Sequence, residues 1–172
     1  LKEVFAALKS SPQRLLYLDL KDVDLNALAR LIKKYAVAER LIFSHNSQEN
    51  CQKVKELVPK IRTMLWIGGT VQEIEATFQK ALAVEFSGLD QVQIHLYLSQ
   101  EEALAWPYQV GMDFIEYAID ETRKRELDLE VLPFKFADPV LHTLLDLGIR
   151  WFAIDYPQEF LASVARWQAK RN

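Results

Sequence analysis

A single cysteine among 172 residues rules out an intramolecular disulfide framework and any Cys-rich zinc module. The three histidines, His45, His95 and His142, sit in distant segments, and none belongs to a helical pair spaced for zinc. Charge of one sign is also scarce: 21 Lys and Arg against 24 Asp and Glu leave a formal net charge of −3. That balance makes no field able to gather nucleic acid through its phosphates. No apolar run reaches the roughly 18 to 20 residues that span a bilayer. Leu1 to Ser10 carries Lys2, Glu3 and Lys9 where a signal peptide would have its apolar core. No Gly/Ser-rich linker or charge block divides the chain, so residues 1–172 are expected to form a single domain.

Half of the residues are hydrophobic and 26% are charged, the balance of a chain that buries a core. Short apolar runs alternate with longer helical stretches at a repeat of roughly 25 to 30 residues, the pattern of β/α units. Six strands are expected, at Leu15–Lys21, Leu41–His45, Met64–Ile67, Val92–Leu98, Leu129–Phe134 and Trp151–Asp155. Asp24 is placed to cap a helix over Leu25–Tyr35, and Ser47 with Glu49 opens Cys51–Leu57. Thr70 with Glu73 makes a capping box before a helix that runs to Leu82. Further helices are expected over Tyr108–Arg125, over Asp138–Leu147 ending at Gly148, and over Gln158–Lys170. The sequence opens at Leu1 with no initiator Met, inside an amphipathic pattern (Val4, Phe5, Leu8), and the natural protein is expected to be longer. Any targeting segment would precede Leu1, so no compartment is read.

Strands joined through helices run parallel. Two architectures satisfy six such units, an open doubly wound sheet and most of an eight-stranded barrel, and both place a site at the carboxyl ends of the strands. The strands alternate. Tyr17, Asp19 and Lys21 oppose Leu16, Leu18 and Leu20, while Gln91, Gln93, His95 and Tyr97 oppose Val92, Ile94 and Leu96. A sheet buried on both faces would read as continuous apolar runs, so alternation favours a barrel with a polar interior near its mouth.

Asp19 and Lys21 point the same way about 7 Å apart along their strand. They could divide labour between a hard divalent cation and an anionic oxygen such as phosphate, or neutralise each other as an ion pair facing the barrel. His45 closes its strand in Ser44-His45-Asn46, where an imidazole can bind a metal or move a proton. His95 is expected to be a hydrogen-bonded interior residue and His142 a solvated one. Trp66-Ile67-Gly68-Gly69 ends the third strand with an aromatic wall and two glycines suited to a close backbone approach. Cys51 has no base partner in its helix, which argues against a nucleophile.

Three segments carry a resemblance. Leu144-Leu145-Asp146-Leu147-Gly148-Ile149-Arg150-Trp151-Phe152-Ala153-Ile154-Asp155-Tyr156-Pro157, Leu16-Tyr17-Leu18-Asp19-Leu20-Lys21 and Leu41-Ile42-Phe43-Ser44-His45-Asn46 follow the closing segment and the third and fourth strands of one family. In that order the chain resembles the carboxyl-terminal part of the glycerophosphodiester phosphodiesterases, about three-quarters of their domain, counted as six of eight barrel strands. The resemblance implies an α/β fold, a TIM-type β/α barrel that is incomplete and covers strands three to eight. It implies part of a metal-dependent enzyme of lipid metabolism, a phosphoric diester hydrolase that splits glycerophosphodiesters into an alcohol and glycerol phosphate.

By the same resemblance Asp19 is a carboxylate ligand of a divalent metal, Ca or Mg, with Asp where the family has Glu. Lys21 faces the phosphate. His45 and Trp66 are not carried over by the resemblance; from their own places at strand ends they are expected to join Lys21 as substrate-binding residues. The family's His-Arg, Glu-x-Asp and His-Asp motifs fall on the two strands this chain does not match. No catalytic residue is therefore assigned here, and the chain alone is expected to be inactive. Pro133 stands where the family has a substrate-lining Trp, a departure that also fits a degenerate, non-catalytic barrel binding a phosphorylated ligand. Open barrel edges make pairing with a second copy an expected outcome.

Overall fold

The structure is a computed structural model that describes residues 1–99 and 105–171. Its strands are β1 (Leu16–Asp19), β2 (Leu41–His45), β3 (Arg62–Ile67), β4 (Gln91–Leu96), β5 (Asp128–Pro133) and β6 (Trp151–Phe152). Its helices are α1 (Lys2–Lys9), α2 (Leu25–Tyr35), α3 (Gln48–Leu57), α4 (Val71–Ala83), α5 (Met112–Arg123), α6 (Asp138–Asp146) and α7 (Pro157–Ala169). The strands form one sheet in the order β1-β2-β3-β4-β5-β6. The pairs β1–β2, β2–β3 and β5–β6 are parallel. An open doubly wound sheet reverses its strand order at a switch point, whereas a β/α barrel adds strands in sequence order. The fold is therefore α/β, an incomplete TIM-type barrel of six units.

Contacts divide the chain into two compact units, Leu1–Trp66 with Lys80–Val92, and Ile67–Gln79 with Gln93–Asn172. In the first, Leu18, Leu41 and Phe43 pack with Phe5, Ile32 and Val54 into a core between the strands and α1, α2 and α3. The register pairs Leu18 with Phe43 and Asp19 with Ser44, so the alternate positions present the other face of the sheet. That face carries Ile42 and Met64 together with polar groups, and there the Tyr17 hydroxyl accepts from Gln91 Nε2 at 3.2 Å. The Asp24 carboxylate caps α2 by accepting from the N–H groups of Asn26 and Ala27 at 2.9 and 3.1 Å. Ser47 caps α3 through Asn50 N–H at 3.3 Å.

In the second unit Ile94, Leu96, Ile115, Val131, Leu141 and Leu144 are buried. The capping box of α4 forms as expected: Thr70 N–H donates to Glu73 Oε2 at 2.8 Å and Glu73 N–H to Thr70 Oγ1 at 3.3 Å. Two boundaries of this unit differ from expectation by three residues or more. α5 begins at Met112, not Tyr108, because the preceding residues run extended. Tyr108 bridges Leu98, Ser99 N–H donates to the Pro107 carbonyl at 2.7 Å, and the Tyr108 hydroxyl donates to the Lys135 carbonyl at 2.7 Å. β6 stops at Phe152 because Pro133, at the end of β5, has no N–H with which to extend the ladder.

Candidate functional site

The carboxyl ends of β1, β2 and β3 bring distant residues together. Asp19 closes β1 and Lys21 follows two positions on, His45 closes β2, and Trp66 is the penultimate residue of β3. With Asn46 these four side chains line one cavity of about 250 Å³. Every site residue expected from the sequence thus meets the others at one place, and Asn46 joins them. In a parallel ladder the strand ends lie side by side, so residues far apart in sequence converge without long-range features of their own.

The cavity holds one charge of each sign, and both charged side chains are exposed. Among the described residues neither Asp19 nor Lys21 makes an ion pair or side-chain hydrogen bond. The alternative of a mutually neutralising buried pair is therefore not what the structure contains. The ammonium and the carboxylate are open to a ligand.

His45 is placed differently. Alternation along β2 sets it on the helix-packed side with Phe43, whose ring it stacks on at 5.9 Å and 15°. Ser47 N–H donates to Nδ1 at 2.9 Å, which fixes the neutral ring's proton on Nε2; the Asn50 side-chain amide lies 3.3 Å away and accepts that proton only through its oxygen. His45 reaches the cavity as an edge whose one lone pair, on Nδ1, is taken by Ser47 N–H. A metal is a poor fit to these residues by themselves. Asp19 is their one free carboxylate, and among the described residues no group of three or more His, Cys, Asp or Glu side chains could hold an ion.

Comparison with solved structures places this geometry in context. A glycerophosphoryl diester phosphodiesterase from Parabacteroides distasonis ATCC 8503 superposes with a TM-score of 0.66 at 15% identity, covering 96% of this chain and 55% of its own. The enzyme from Agrobacterium tumefaciens str. C58 gives 0.59 at 16% identity, covering 94% and 61%. The chain shares the fold of these phosphodiesterases. It spans 52–64% of the length of five such structures. An N-acetylneuraminate lyase from Mycoplasma synoviae also matches, with a TM-score of 0.56 at 11% identity, so the fold is shared beyond one chemistry. No protein-family model and no curated protein sequence matches.

At this identity the phosphodiesterases carry over architecture, and side-chain roles rest on the residues of this chain. Its second unit contains a polar series that the sequence did not assemble. Gln93 Nε2 donates to Glu130 Oε1, Gln93 Oε1 lies 3.0 Å from His95 Nε2, and His95 Nδ1 lies 3.3 Å from the Tyr97 hydroxyl. Gly68 is small because a Cβ there would come within 2.6 Å of His95 Nδ1 and 3.0 Å of Tyr97 Oη. The sequence suggested a close backbone approach to a ligand; the space beside Gly68 is instead taken by two side chains of the chain itself. Alternation along β4 signalled Gln93, His95 and Tyr97, but Glu130 comes from another strand.

Two further residues complete the comparison. His95 is hydrogen-bonded as expected. His142 is not solvated: it is buried between α6 and α7, with Nε2 3.0 Å from the Ser163 carbonyl. Its polar neighbours in sequence misled because α7 covers that helix face. Cys51 is fully buried, and burial pushes its thiol up to about 12, which removes it as a nucleophile.

Proposed function

We propose that this chain is the phosphate-holding part of a metal-dependent glycerophosphodiester phosphodiesterase. Lys21 places its ammonium on phosphate oxygens, where a compact cation offsets anionic charge. Trp66 forms the apolar wall beside it, and the edge of His45 and the Asn46 amide complete the pocket. Asp19 contributes one oxygen toward a divalent ion, Ca or Mg, which when bound would polarise a phosphoryl oxygen. One free carboxylate does not hold such an ion alone, so no catalytic step is assigned to these residues, and the chain by itself is proposed to be inactive. The observation that carries the reading is the convergence of Asp19, Lys21, His45 and Trp66 on one cavity with both charges free.

The bond from Ser47 N–H to His45 Nδ1 favours a second reading, a non-catalytic barrel that binds a phosphorylated ligand, because it leaves no basic imidazole nitrogen open to the cavity. Calorimetric titration with glycerol 3-phosphate, with and without Ca²⁺, separates the two. With the phosphate oxygens of the ligand joining Asp19 around the ion, the phosphodiesterase reading expects Ca²⁺ to tighten binding, Lys21→Ala to weaken it by about tenfold or more, and Asp19→Asn to abolish the Ca²⁺ effect alone. Binding insensitive to Ca²⁺ but lost in Lys21→Ala would leave the second reading. Binding unchanged in Lys21→Ala would refute both.

A further inference from the structure

The basic nitrogen of His45 faces the backbone amide that follows Asn46. Ser47 N–H can only donate, and it points at His45 Nδ1 across 2.9 Å, so that nitrogen carries a lone pair and the ring is neutral. Ser47 is the N-cap of α3, where the amide proton has no place in the helical ladder. Asn46 itself is exposed and lines the cavity with Lys21. An asparagine side chain is always within reach of the next backbone nitrogen, because joining that nitrogen to its Cγ closes a five-membered ring. A backbone amide is too weakly acidic to attack unaided, and a base held at hydrogen-bond distance removes that obstacle.

Asn26 and Asn50 lack this arrangement. They lie inside α2 and α3, where the backbone is held in helical form. The N–H after Asn26 donates to the Asp24 carboxylate at 3.1 Å, and the N–H after Asn50 donates to the Ser47 carbonyl at 3.2 Å. A carbonyl is no base, and a carboxylate is a weaker one than imidazole by roughly two to three pH units. Among the described residues, Asn46 alone precedes an N–H that meets an imidazole.

We propose that Asn46 is a site of self-catalysed deamidation, with His45 as the general base. His45 Nδ1 takes the Ser47 amide proton as the Ser47 nitrogen bonds to Asn46 Cγ, and the carbonyl electron pair moves onto Oδ1. The Lys21 ammonium, in the same cavity, offsets that charge. Collapse of the adduct breaks the Cγ–Nδ2 bond, and the leaving nitrogen takes the proton back from the imidazolium and departs as ammonia. Water then opens the succinimide ring at either carbonyl and leaves aspartate or isoaspartate at position 46. One water enters and one ammonia leaves overall. The product places a second carboxylate in the cavity of Asp19, so a pocket with one charge of each sign becomes net negative. The reaction is independent of the phosphate reading.

The test incubates the full chain at neutral pH and follows each asparagine by peptide mapping with mass spectrometry. It reads the mass gained when NH₂ is replaced by OH and separates aspartyl from isoaspartyl products. Asn46 is expected to react about tenfold or more faster in the native chain than in the same chain unfolded in urea, and to yield both isomers, while native Asn26 and Asn50 stay unreacted. His45→Asn offers Ser47 N–H an oxygen in place of Nδ1 but has no basic nitrogen, and should slow the native reaction about tenfold or more. A merely structural role for His45 would survive that replacement. Should His45→Asn fold poorly, the comparison of native with unfolded wild type decides the question. Deamidation no faster in the native chain, an undiminished rate in folded His45→Asn, or aspartate formed without isoaspartate would overturn the proposal.

Discussion

Gly68→Ala probes the tightest packing next to the polar series. The added Cβ would lie 2.6 Å from His95 Nδ1 and 3.0 Å from Tyr97 Oη. Neither atom ends a freely swinging chain, because His95 is tied to Gln93 at 3.0 Å and its ring is braced by Phe134. Restoring an ordinary contact needs a movement of about 0.8 Å, enough to break the 3.3 Å bond between His95 and Tyr97. Overpacking costs about 1 to 3 kcal/mol, and a buried hydrogen bond lost adds about 1 kcal/mol or more. The expected destabilisation is therefore about 2 to 4 kcal/mol, read from urea unfolding followed by tryptophan fluorescence. In a His95→Ala background the 2.6 Å obstacle is gone, and the milder 3.0 Å approach to Tyr97 Oη can relax into the vacated space. Since Gly68 has no positive φ, its Ala variant should then cost under about 1 kcal/mol. The resulting coupling of about 2 kcal/mol is the decisive quantity, and costs that simply add within about 0.5 kcal/mol would refute the reasoning.

Other consequences are simpler to check. The Asp90 carboxylate accepts from Lys55 Nζ at 2.7 Å, Thr63 N–H at 2.7 Å and Thr63 Oγ1 at 3.1 Å, so Asp90→Ala should cost about 2 kcal/mol in urea unfolding. Lys55→Met removes the half-exposed ion pair together with the hydrogen bond from Lys55 Nζ to the Ile61 carbonyl at 2.8 Å, and should cost about 1 kcal/mol, less than Asp90→Ala. Cys51, buried and with its thiol pushed up to about 12, should resist a disulfide reagent at pH 8 in the native protein and react fully in denaturant. Thr70, donating from its N–H and its hydroxyl, holds the Glu73 carboxyl below the ordinary range. A lowered folded-state value means stabilisation that is present above the unfolded value of about 4.3 and lost as pH falls below it. The stability gap between wild type and Glu73→Gln should thus close on acidification from pH 6 toward pH 3, and a gap that widens would contradict the capping role.

What could be read from the sequence was what local chemistry decides. Leu41–His45 and Leu25–Tyr35 have the expected limits, because an apolar run and an Asp cap are complete within their own windows. Alternation in Leu16–Lys21 indicated which residues share a face, and the parallel ladder then carried Asp19, Lys21 and Trp66 to one cavity. The misreadings came from partners in other segments. Tyr108 belongs to a helical pattern in sequence, yet its hydroxyl is drawn to the Lys135 carbonyl and its backbone to Leu98. His142 looks solvated until α7 is laid over it. His45 has the residue type of a ligand, but Ser47 N–H claims its Nδ1. The Glu130 contact to Gln93 spans 37 positions, and no local pattern announces it.

The strictly sequential order of the sheet has a consequence for how the chain assembles. Each strand needs only the strand before it, so no pairing waits on a distant part of the polypeptide. Loop-closure entropy is met in similar modest instalments, one β/α step at a time. Such a molecule can build outward from whatever portion has already emerged during synthesis, much as a stacked array grows by nearest-neighbour additions.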